Sequence, residues 1–171
     1  VPPSPNIPTF ESALLYIGTC LFEGVNLNEG RGTETPFQVF GAPWMDGKKV
    51  VSRMEPGDHP GCRLEVVEYT PRSIPGKSKS PTYQDQVCQG IRIHVESAGE
   101  ARPFRMVYAL LLALHREHGD TMEWKPFFDT LAGGDGVRKA IQSGTSAVAY
   151  LQSIDETLQR FARERPRRYT T

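Results

Sequence analysis

The sequence predicts an α+β fold, a mostly antiparallel or mixed sheet packed against C-terminal helices in a single domain. Three observations carry this reading. Runs with period-two alternation, 62–69 and 90–96, fall in the first part of the chain, and helical spacing of apolar residues takes over only after residue 102. Strands grouped ahead of helices favour α+β over an alternating α/β order, and there is no internal repeat. At 171 residues the chain is long enough to bury one sizeable core.

The elements follow in order. Pro2, Pro3, Pro5 and Pro8 make 1–8 a stiff lead-in or linker segment. Thr9 is placed to cap a short helix over 10–16, with Ser12 as a further local acceptor. A glycine-rich loop comes next, then a strand over 37–44 that Pro43 ends. Glycine and proline break 45–61. The alternating run 62–69 is a strand, 71–86 is a long polar loop, and 90–96 is a strand with Ile91, Ile93 and Val95 toward the core and Arg92 and His94 on the other face. Phe104, Val107, Tyr108, Leu111, Leu114 and His115 mark a helix that Gly119 stops. Val148, Leu151, Ile154, Leu158 and Phe161 mark a second helix ending near Pro166, its stripe assigned to the core and Glu156 and Arg160 to its wet face. The basic cluster from Arg163 to Arg168 reads as a solvated terminus.

Composition excludes several classes. Lys plus Arg and Asp plus Glu number 20 each, so no bulk field points to nucleic acid. The longest strongly apolar run, 106–114, is too short to span a bilayer. No signal peptide is visible, but the chain begins at Val1, and a targeting segment removed upstream would leave no trace. Cys20, Cys62 and Cys88 allow either one disulfide with a leftover thiol or three buried thiols. Zinc is rejected, because His59 with Cys62 and Cys88 with His94 lack a paired ligand spacing. There is no Gly-x-Ser-x-Gly, phosphate loop or dinucleotide fingerprint, and the scattered histidines read as structural.

The informative stretch is Cys20-Leu-Phe-Glu-Gly-Val-Asn-Leu-Asn-Glu-Gly-Arg-Gly-Thr33. Gly30 and Gly32 permit close backbone approach, and Arg31 between them offers a planar fork suited to a carboxylate or phosphate. The plainer alternative is a tight turn whose Arg31 pairs with Glu23 or Glu29. Glu23, Glu29 and Glu34 supply carboxylates for glycoside chemistry, but sequence alone fixes no separation between a pair.

That stretch, with Val1-Pro-Pro-Ser-Pro-Asn-Ile-Pro8, Pro36-Phe-Gln-Val-Phe-Gly-Ala-Pro43, Cys88-Gln-Gly90 and Phe128-Asp-Thr-Leu-Ala-Gly133, resembles the C-terminal half of the bacterial exo-β-N-acetylmuramidases, the NamZ-like family. The resemblance covers nearly the whole chain, and the Glu-Gly-x-Asn-x-x-x-Gly-Arg-Gly-Thr pattern is specific. It implies that 9–171 is a C-terminal domain whose partner is an N-terminal Rossmann-like domain of the same polypeptide. That first domain, absent from this sequence, carries the glutamate regarded as catalytic. No catalytic residue, metal or cofactor is then expected in this chain. The implied substrates are peptidoglycan fragments, from whose non-reducing ends the family removes terminal N-acetylmuramic acid. A secreted or periplasmic setting is favoured by the same resemblance. The candidate site is Arg31 on the lactyl carboxylate or in the cleft wall, with Glu23 and Asn26 on sugar hydroxyls or orienting Arg31, and Gly30, Gly32 and Thr33 shaping the loop. The alternative is a non-catalytic module that binds cell-wall sugar. A domain deprived of its partner should expose extra apolar area on the Arg31 face, including Trp44 or Tyr83.

Overall fold

The computed structural model describes residues 4–164. Helix α1 (Phe10–Thr19) starts where expected: Thr9 Oγ1 accepts from Ser12 N at 3.1 Å. Ser12 itself turns inward and donates from Oγ to the Pro36 carbonyl at 2.9 Å. A 3-10 turn (Cys20–Gly24) leads into the glycine-rich loop. Then come β1 (Val39–Ala42), α2 (Gly47–Ser52), a 3-10 turn (Pro56–Asp58), β2 (Cys62–Tyr69) and β3 (Cys88–Val95). The rest is helical: α3 (Pro103–His118), α4 (Phe127–Leu131), α5 (Gly136–Gln142), α6 (Ala147–Ser153) and α7 (Asp155–Glu164).

The sheet is antiparallel throughout, in the order β1-β3-β2. Its register brings Phe40 beside Ile91 and Leu64 beside Ile93 on the face that meets the helices. On the opposite face Arg63 pairs across to His94 and Glu65 to Arg92, and His94 Nε2 lies 2.6 Å from Glu65 Oε2. That hydrogen bond, with Arg63 and Arg92 nearby, holds the Glu65 carboxyl below its usual range. The other end of this face, with Tyr69 and Cys88, is covered by loops. Helix α3 is the spine of the core. Its Met106, Val107, Leu110, Leu111 and Leu114 are buried, and it packs on α1 where a side chain at Gly18 would collide with the Pro103 carbonyl.

Several expectations are corrected. Strand β1 begins only at Val39, because Phe37 adopts a left-handed φ of 65° that no ladder accepts. The broken stretch 45–61 holds a helix, α2, capped by Asp46 Oδ1 accepting from Lys49 N. The second long helix is two, α6 and α7, divided at Ile154. Its stripe is not core: Val148, Leu158 and Phe161 are exposed, Phe161 at 66%. The core places are filled instead by Phe128 of α4 and by Val137 and Ile141 of α5. All three cysteines are free thiols, and burial pushes the Cys88 thiol up to about 11. Pro166 and most of the basic cluster lie outside the described residues, as do the first three residues. No helix among the described residues is long and apolar enough to cross a membrane, and no group of three or more His, Cys, Asp and Glu there is arranged to hold a metal.

Candidate functional site

The segment 25–38 is built around Asn28, a residue that composition does not single out. Its backbone exchanges hydrogen bonds with Gly41 of β1, 2.8 and 2.9 Å. Its Nδ2 donates to the carbonyls of Arg31 and Thr82, 3.0 and 2.9 Å. Its Oδ1 accepts from Gly30 N at 2.8 Å and from the Tyr69 hydroxyl at 3.0 Å. Every polar valence of this buried amide is used, and burial pushes the Tyr69 hydroxyl pKa sharply up.

The glycines therefore serve geometry. Gly30 and Gly32 have φ of 86° and 83°, and a Cβ on Gly32 would lie 2.6 Å from Pro81 Cγ and 2.7 Å from the Arg72 carbonyl. The close approach lets loop 71–86 lie across the turn, with Arg72 N donating to Gly32 O at 2.8 Å. The Gly30 N–H is spent on Asn28, so it is not presented outward. Thr33 Oγ1 donates to Gly30 O at 2.7 Å and accepts from Thr35 N at 3.1 Å, which tightens the same turn.

Arg31 emerges from this frame with both local acids on one nitrogen. Nη1 lies 3.0 Å from Glu23 Oε2 and 2.5 Å from Glu29 Oε1. The guanidinium sits over the Phe37 ring at 4.9 Å, and Tyr16 meets that ring edge-on at 4.8 Å. Burial opposes the Arg31 charge, but Glu29 and Glu23 outweigh it and its pKa is raised. Burial, then the charge of Glu23, raises the Tyr16 hydroxyl. Among the described residues nothing accepts from Nε or Nη2, and the side chain remains 30% exposed. One edge of the fork is fixed and the other is open.

Asn26 does not orient Arg31. Its Nδ2 donates to Thr121 O and its Oδ1 accepts from Glu123 N, both at 2.9 Å, which fastens the loop to the segment after α3. Tyr83, itself at φ 58°, donates to the Asn26 carbonyl at 2.8 Å and receives the Trp44 indole N–H at 3.1 Å. Trp44 and Tyr83 are thus half-buried members of a hydrogen-bonded chain packed on the core, not the exposed apolar face expected of them. The large exposed apolar residues are others, notably Phe10 and Ile17 of α1 and Phe127 of α4.

The motif around Phe128 packs against the same loop. A Cβ on Gly24 would lie 2.6 Å from Phe128 Cα, so α4 rests directly on the turn that carries Glu23. The Cys88-Gln-Gly90 run pairs with β1 at Gly41. Segments far apart in the chain thus close on one loop.

Residues 14–170 match the family described as exo-β-N-acetylmuramidase NamZ, C-terminal. The chain belongs to this family. It is 32% identical over 165 residues to the peptidoglycan β-N-acetylmuramidase NamZ of Bacillus subtilis strain 168. That alignment covers 95% of this chain and 38% of the relative, so the chain spans well under half of that protein's length. Two solved structures share the fold, both DUF1343 family proteins of Bacteroides fragilis NCTC 9343. One has a TM-score of 0.73 at 33% identity, covering 94% of this chain and 41% of its own. The other has a TM-score of 0.75 at 18% identity, covering 95% and 43%, and speaks to fold alone. This member of the NamZ C-terminal family is, over its described residues, a three-stranded antiparallel sheet packed against helices.

Proposed function

We propose that this chain is the cleft-completing C-terminal domain of a glycosidase that removes terminal N-acetylmuramic acid from peptidoglycan fragments. The lead-in 1–8 would connect it to a Rossmann-like domain carrying the catalytic glutamate. The observation that supports this most is the half-engaged guanidinium of Arg31. Muramic acid differs from glucosamine by a lactyl ether with a carboxylate, and a fork with one edge free offers that anion two donors. Glu23 and Glu29 hold the other edge, which fits a supporting role better than that of a glycosidase acid–base pair. Gly30, Gly32, Thr33 and Asn26 set the loop's shape and place.

The test is kinetic. In the two-domain protein, Arg31→Lys should lower kcat/KM on a muramic acid glycoside by about 10–100-fold, the worth of a charged hydrogen bond, and change glucosamine glycosides little. Equal loss on both substrates would remove the carboxylate assignment. The 171-residue chain alone should release no sugar; turnover by it would move catalysis onto Glu23 or Glu29. Saturable muramic acid binding by the isolated chain, with no effect of this domain's loop on turnover, would favour the sugar-binding module instead.

A further inference from the structure

A second concentration of charge lies away from the Arg31 loop and shares no residue with it. One stripe of α3, containing Arg105, Ala109, Leu112 and Ala113, faces the 3-10 turn at Gly57 and the start of α6 at Val148. Between them is a pocket of ≈ 370 Å³, within the range of about 300–1,000 Å³ typical of small-molecule sites. Its floor is small and apolar. Arg53, Arg105, Arg116, Glu55 and Asp58 supply the charge on its walls.

All but one of these charged groups are occupied. Arg53 pairs with Glu117 at 2.5 Å, and Arg116 Nη2 donates to the Gly144 carbonyl at 3.1 Å. Glu55 and Asp58 cap each other's backbone N–H groups, Asp58 Oδ2 accepting from Glu55 N at 3.1 Å. Arg105 has no hydrogen bond or ion pair among the described residues, and its Nε is shut from solvent without an acceptor. A guanidinium cannot escape an unpaired site by losing its proton. With Nε sealed and no partner at either terminal nitrogen among the described residues, the donors left for a ligand in the pocket are the Nη groups, a fixed positive charge beside an apolar floor.

We propose that this pocket binds a small carboxylate carrying a short apolar group, with the carboxylate on the Arg105 fork and the apolar group on Ala109, Leu112 and Ala113. The chemistry is that of a small α-amino acid, free or as a peptide C-terminus. Glu55 and Asp58 on the wall repel a phosphate dianion, and their unused lone pairs suit the ammonium of a free amino acid.

Calorimetric titration of the 171-residue chain with alanine, N-acetylalanine and alaninamide tests this without reference to sugar turnover. Both carboxylates should bind and alaninamide should not. Alanine binding about tenfold tighter than N-acetylalanine, a difference of about 1.4 kcal/mol, identifies a free amino acid; equal affinity identifies a peptide terminus. Arg105→Ala should weaken binding at least about tenfold. Val148→Trp, at an exposed rim position, should weaken it similarly while keeping the guanidinium and the fold. The proposal is overturned by absence of saturable binding of either carboxylate at about 10 mM, by equal binding of alaninamide, or by unchanged affinity in both variants.

Discussion

Arg31 and Arg105 are the same side chain in opposite circumstances. Arg31 stands in a loop where each neighbour is already bonded, and its Nη1 has two carboxylates within reach. Arg105 stands on a regular helix with no partner among the described residues and one nitrogen sealed off. The loop invests its polar groups in a fixed shape; the helix face leaves one uncommitted. Partner supply separates a guanidinium held at one nitrogen, with its other edge open, from one with no partner at all among the described residues.

The contrast can be broken most directly at Asn28. Replacing it by Ala leaves Gly30 N and the Arg31 and Thr82 carbonyls short of a partner, leaves the Tyr69 hydroxyl only the backbone carbonyl of residue 28 at 3.2 Å, and should cost about 3 kcal/mol in urea unfolding. A loss under about 1 kcal/mol would mean that water replaces the amide and that the loop is not fixed by it. The two arginines can then be compared. Arg31→Ala strands two acids and should destabilise by about 1–3 kcal/mol, discounted for partial exposure. Arg105→Ala removes an unpaired donor and should change stability by less than about 0.5 kcal/mol. Similar losses at both positions would erase the distinction. The smallest effect belongs to α7, where Phe161→Ser should stay within about ±0.5 kcal/mol.

Much of the scaffold was legible because its causes are local. Cys62–Tyr69 alternates as its burial demands, and Pro103–His118 carries a helical stripe that ends at Gly119. The α6–α7 stripe has the same periodicity and misleads, because amphipathicity reports a face and not what covers it. The Arg31 loop was visible as chemistry, and its pairing with Glu23 or Glu29 was one of two readings; the structure has both acids on it. Asn28 was not legible as the hub, since its partners Tyr69 and Thr82 lie 41 and 54 residues away. Arg105 gave no signal either, because Gly57 and Val148 meet it only in the folded chain.

The contact between Gly18 and Pro103 carries a mechanical consequence. Helix α1 runs directly into the turn that bears Glu23, so whatever sets its height on α3 also sets where that carboxylate meets Arg31. A methyl group at position 18 would act as a shim, lifting α1 and with it one jaw of the grip on the guanidinium. Residue 18 is no member of the Arg31 ion pairs, yet it is the place where the aperture of that grip is gauged.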